Sequence, residues 1–144
     1  MSLKAAFYIL AESTLKARDL YACRIIEKAF LGSKTAYVHT STVAEAQSFD
    51  TQLWTFRDIS FVPHEVYSQN LNSEVPILIG YDASQAEKKD ILINLTSETP
   101  LFYQQFDHII EIVPNDADSK AAARKQYQVY KNSGYQMETF NIKA

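Results

Sequence analysis

The stretch HIIEIVPNDADSKAAARKQYQVYKNSGYQMETFNI, residues 108–142, contains a strand, a helix and a second strand in that order. His108 to Val113, HIIEIV, is rich in branched apolar residues and reads as a strand. Pro114 stops it, because proline offers no N–H to a ladder. Asp116 or Asp118 then caps a helix, and Gly134 ends that helix in the left-handed conformation that favours glycine. The residues YQMETFNI alternate as a last strand does.

Working back toward the N-terminus, the same alternation of elements recurs. KAAFYIL (Lys4 to Leu10) reads as a buried first strand, and a helix runs from about Thr14 to Leu31, stopped near Gly32. Leu15, Leu20, Cys23, Ile25, Ile26 and Phe30 fall roughly on one side of it. TAYVH is a short second strand. STVAEAQSFDTQLW is a helix capped by Ser41 or Thr42, with Glu45 reaching back and Val43, Ala46, Phe49 and Leu53 on its apolar face. From Thr55 to Asn70 the pattern dissolves. PILIGYD and ILINL are strands on either side of a polar turn, and Pro100 fits the start of a short helical turn, LFYQQF. Strands alternating with helices predict a three-layer α/β fold, with a mainly parallel sheet and helices on both faces. No repeat or linker interrupts it, so residues 1–144 are expected to form a single domain.

The architecture is Rossmann-like, yet the chemistry of a nucleotide site is missing. Such folds cradle phosphate on a glycine-rich turn after the first strand. Here that turn reads AEST, the chain has 3 glycines in all, and neither GxGxxG nor GxxxxGK[ST] occurs. His39, His64 and His108 stand on separate elements without metal-ligand spacing. Cys23, the single cysteine, permits no internal disulfide and sits mid-helix on the apolar side, where a thiol packs rather than attacks. Asp107 and Glu111 flank a strand, a usual place for solvated carboxylates. These features predict no catalytic residue, no cofactor and no metal. The first residues hold too short an apolar run for a spanning helix and no signal-peptide layout, which predicts a cytoplasmic protein without membrane contact. A net charge of −3 argues against a general nucleic-acid coat.

Two features stand out from this background. Lys120, Arg124, Tyr127, Gln128 and Lys131 form one stripe of the last helix at 100° per residue, while Ala122, Ala123, Val129 and part of Tyr130 face the sheet. The stripe is either a solvated cationic face or a seat for an acidic peptide, with a carboxylate on the guanidinium and an apolar side chain on the ring. The second feature is LWTFRDISFVPHEV, where Leu53, Trp54, Phe56, Ile59, Phe61 and Val62 crowd a segment of loop character. It is either an interface anchor or tucked under as core. Pro63 followed by His64 reads as a turn.

In order, these motifs resemble the chi subunit of the bacterial DNA polymerase III holoenzyme: AAFYIL, FDTQLW, SFVPHE, KKDILINLTSE, FDHIIEIVPND and KAAARKQYQVYKNSGYQMETF. The resemblance runs nearly end to end, and it implies a non-catalytic adaptor that binds no nucleotide. It implies two protein partners: the psi subunit, which leads to the clamp loader, and the acidic C-terminal tail of single-stranded-DNA-binding protein. DNA is then met only indirectly. By motif match the tail pocket falls on Lys120, Arg124, Tyr127 and Lys131, with Val113 lining its apolar part. Gln128 departs from the basic residue that the family tends to place there, which implies either a weaker electrostatic part of the contact or a shifted register. The psi surface falls on Trp54 and Phe61, with Val62, Pro63 and His64 beside them. Two other classes compete with this reading. A single-strand-binding module would stack bases on Tyr127, and a small α/β enzyme would show itself by ligand-induced stabilisation.

Overall fold

The computed structural model describes residues 3–56, 62–67, 75–82, 85 and 89–142. Seven strands form one sheet: β1 (Lys4–Leu10), β2 (Ala36–His39), β3 (His64–Val66), β4 (Ile77–Gly80), β5 (Ile91–Asn94), β6 (His108–Val113) and β7 (Gln136–Ile142). Their order across the sheet is β3-β4-β2-β5-β6-β1-β7, and each adjacent pair is parallel. A parallel sheet needs crossovers that cover both of its faces, which is why the central strands read as continuous apolar runs.

Among the described residues, three of the connections are α-helices: α1 (Leu15–Leu31), α2 (Val43–Thr55) and α3 (Ala117–Asn132). Cys23 and Ile26 of α1, with Phe49 and Leu53 of α2, pack on Val38, Ile79, Ile93 and Ile110 on one face. Tyr130 of α3, with Phe102 and Phe106 around the 3₁₀ turn Tyr103–Gln105, packs on Tyr37, Leu78, Leu92 and Ile109 on the other. The expected α/β fold with helices on both faces is therefore present. Thr14 caps α1 and Thr42 caps α2, each accepting a backbone N–H at 3.1 Å. Asp116, not Asp118, caps α3. Its carboxylate accepts the Ser119 N–H and the Ser119 hydroxyl, both at 2.8 Å, and these bonds hold it below the usual carboxylate range.

Two glycines answer to geometry. Gly134, φ 93°, supplies the left-handed turn expected after α3. At Gly80 a Cβ would lie 1.9 Å from the Tyr37 hydroxyl, so the fully buried ring occupies the space that a side chain would need.

Several expectations are corrected. His64 does not sit in a turn: it begins β3, an edge strand of three residues. Leu15, Val43 and Val129 face solvent, being the first residues of α1 and α2 and an outer position of α3. The inner face of α3 is instead Ala123, Gln126 and Tyr130, at the i, i+3, i+7 spacing of one helical stripe. Glu111 is not solvated. It points inward from β6 toward α3 and is buried.

Candidate functional site

The sequence AAARKQYQVYK gives α3 two working faces. Tyr130 anchors the inner one, its hydroxyl donating to Glu111 Oε2 at 2.6 Å beneath the helix. With that face fixed on the sheet, Lys120, Arg124, Tyr127 and Gln128 are carried one stripe round, above the carboxyl halves of β1, β6 and β7. There they border a groove of about 520 Å³ whose floor is Phe7 and Ile9 from β1, Val113 from β6 and Ala123, with Thr139 of β7 at the far side. Phe7, Val113 and Ala123 are buried, so the floor is apolar. Tyr127 is half-buried, its ring centroid 5.5 Å from that of Phe7 at a tilt of 56°.

Of the residues expected to hold an acidic tail, Val113, Lys120, Arg124, Tyr127 and Gln128 come together here. Lys131 is exposed near the end of α3 and does not line the groove. The lining holds two cations, Lys120 and Arg124, and no carboxylate. An apolar floor with cations at its rim can seat one greasy side chain and meet an adjoining carboxylate, the guanidinium of Arg124 in two parallel bonds. Phe7, Ile9 and Thr139 were not anticipated as site residues. The parallel register that sets Phe7 opposite Glu111 and Thr139 is what brings them there, and one-dimensional spacing carries no trace of it.

The second feature resolves differently. Trp54, at the end of α2, is 45% exposed, and its ring packs 4.4 Å from the ring of His64. His64 and Val62 are buried: Val62 belongs to the core, and the His64 Nδ1 lies 2.6 Å from the Val62 carbonyl while its Nε2 lies 3.2 Å from the Asp50 carboxylate. Val62 and His64 thus lie beneath the surface, the His64 ring against that of Trp54. Pro63 is half-buried between them. Phe61 lies outside the described residues.

Burial pushes the Cys23 thiol up to about 12, which keeps it protonated and inert. Burial lowers the pKa of His39 and of His108, favouring the neutral ring. Among the described residues no group of His, Cys, Asp and Glu is placed to hold a metal ion, and no helix is long and apolar enough to cross a membrane.

Residues 2–138 match the family described as DNA polymerase III chi subunit, HolC. The chain belongs to this chi-subunit family. It is 32% identical over 136 residues to the DNA polymerase III subunit chi of Pseudomonas aeruginosa, covering 94% of each chain. It is 30% identical over 143 residues to the subunit chi of Haemophilus influenzae, covering 99% of each, and 26% identical over 140 residues to that of Escherichia coli. Among solved structures, the C-terminal domain of the DEAD-box protein Dbp5 superposes with a TM-score of 0.64 at 11% identity, covering 97% of this chain and 91% of that one. T4 UvsW gives 0.65 at 9% identity, with 99% of this chain matched to 41% of that one. At such identities the likeness concerns the fold alone, an α/β sheet shared with those proteins, and it carries no activity across to this chi-family chain.

Proposed function

We propose that this chain is a non-catalytic accessory subunit of the replicative DNA polymerase, working in the cytoplasm as an adaptor between proteins. In this reading the groove beside α3 takes the acidic C-terminal tail of single-stranded-DNA-binding protein. Its terminal phenylalanine lies on Phe7, Ile9 and Val113, and its carboxylate meets Arg124. Lys120 steers the acidic residues, an effect that weakens as salt rises. Trp54, with Phe61 and Pro63, meets the psi subunit, and through psi the clamp loader. Membership of the chi-subunit family supports the assignment to the polymerase assembly. The observation that carries the tail assignment is the groove lining: two cations, one half-buried tyrosine and an apolar floor, without an opposing acid.

The test is calorimetric titration with an acidic peptide ending in phenylalanine, beside the same peptide lacking its last residue. Saturable, micromolar-class binding of the first and at least tenfold weaker binding of the second are expected. Equal affinity for the two peptides overturns the reading. Tighter binding of a bare oligonucleotide than of the peptide would favour a direct single-strand module instead. The lining argues against that outcome, because two cations make a short track for a phosphate backbone and the Tyr127 ring is already engaged with Phe7.

A further inference from the structure

The two edges of the sheet are finished differently. β3 has 3 residues and follows Pro63, a short strand behind a residue without an N–H, and native edges are shielded from further pairing in this way. β7 runs for 7 residues in unbroken register with β1, and QMETFNI holds neither proline nor lysine. It carries no such guard, and among the described residues its neighbour in the sheet is β1 only.

The ladder shows which backbone groups of β7 are open. The Gln136 N–H donates to the Leu3 carbonyl at 2.8 Å, so Gln136 turns its peptide groups toward β1. Direction alternates along a parallel strand, and Glu138 and Phe140 therefore turn inward too. Met137, Thr139 and Asn141 turn their N–H and C=O groups outward, to a side that no strand occupies among the described residues. Thr139 and Asn141 are exposed. The side chains alternate as well. Phe140 stacks on Tyr8, centroids 5.1 Å apart, on the α1 side of the sheet, while Met137 packs with the α3-side cluster and Thr139 borders the groove. Glu138, two residues before Phe140, shares its face, so the one carboxylate of β7 is on the side away from α3.

The groove thus lies between a helix carrying Lys120 and Arg124 and an open strand edge. Strand addition uses such a place: main-chain bonds to the edge give affinity, and the hollow beside it selects a side chain. We propose that the acidic tail binds as an added strand on β7, running parallel to it. This rests on the tail reading of the groove and adds the conformation and direction of the bound chain. Lys120 and Arg124 favour that occupant over a second copy of β7, whose side chains on the α3 face, Met137, Thr139 and Asn141, bring no charge to meet them. The direction follows from register. Phe7 and Ile9 of the floor stand level with Thr139 and Asn141, toward the carboxyl end of β7. A parallel chain puts its last residue there while its earlier residues lie along Thr139 and Met137. An antiparallel chain would run past the strand's end at Ile142. In a parallel ladder, residues in register share a face and turn their peptide groups in opposite senses. With the terminal phenylalanine over the floor, the second and fourth residues from the end face β7, and the third and fifth face solvent.

The test is calorimetry with the acidic peptide ending in phenylalanine and with copies of it N-methylated at one residue each. Methylation at the fourth residue from the end should weaken binding about tenfold, and at the third or fifth less than about twofold. Hydrogen exchange followed by NMR supplies the protein side. On saturation with the unmodified peptide, exchange at the amides of Met137, Thr139 and Asn141 should slow at least about tenfold, while Glu138 and Phe140, already bonded to β1, hardly change. A peptide that binds without this alternation and leaves the three amides unprotected overturns the added strand and lets the groove reading stand. A peptide that does not bind, or binds as well without its phenylalanine, overturns both. Protection of the three amides that grows with protein concentration before any peptide is added gives the edge to a second copy of the chain, and that also overturns the proposal.

Discussion

The groove beside α3 and the surface around Trp54 lie toward opposite ends of one sheet, and they are built on different principles. The groove is concave, floored by two adjacent strands and rimmed by Lys120 and Arg124. The Trp54 surface carries a half-exposed ring at the end of α2, packed on His64 at the start of the edge strand β3. A cationic rim acts at a distance and suits a flexible, charged chain end. An aromatic anchor acts only on contact and suits a preformed hollow in a folded partner. Five strand spacings of about 4.8 Å separate β3 from β1, roughly 24 Å, enough for both partners to be held at once. The proposed adaptor role needs that independence.

The largest effect that can sharpen the contrast is on the Trp54 side. Trp54→Ala should weaken the psi contact by about 2 kcal/mol or more, around thirtyfold, as expected for a central aromatic anchor. Tail-peptide affinity measured by calorimetry should stay unchanged. Arg124→Ala comes next. Removing a charge-assisted, two-pronged bond should cost about 1.5–3 kcal/mol, ten- to over a hundredfold in tail affinity. Because Arg124 is exposed, the melting temperature should not move, and recovery of psi in a pull-down should be intact. If either substitution weakened both partners, the two sites would not be separate.

Much of this was legible in the chain. Apolar runs bounded by Pro76, Asp90 and Pro114 gave strands where strands stand, and the caps Thr14, Thr42 and Asp116 were within reach of simple rules. The edge strand β3 was not legible, because three residues are too few to show alternation and the proline before them reads as a turn. Glu111 was misjudged for a different reason. A carboxylate in HIIEIV breaks the apolar pattern, and only the packing of Tyr130 and Asn94 from elements far along the chain explains how it is tolerated inside. The stripe on α3 was legible as a stripe. Whether it bordered a hollow or faced open water depended on how far β1 and β7 extend beneath it, and helical spacing is silent on that. Val129 and Tyr130 differ by 100° around α3, so a small error in placing the inner face exchanged one for the other.

Smaller effects test the contrast more finely. Raising salt from about 0.05 M to about 0.5 M shortens the screening length severalfold, so tail affinity should fall several-fold while the psi contact hardly changes. Equal salt sensitivity of the two would mean that charge, and not the aromatic ring, governs the Trp54 side. The finest distinction lies along α3 itself. Lys120 lines the groove and Lys131 does not, although both lie on the same basic stripe. Lys120→Ala should cost several-fold in tail affinity. Lys131→Ala should stay within about twofold, since an exposed charge outside the contact contributes only screened, long-range attraction. The reverse ranking by peptide calorimetry would move the tail toward the C-terminal end of the helix, away from the Val113 floor, and the carboxylate would then have to be met by something other than Arg124.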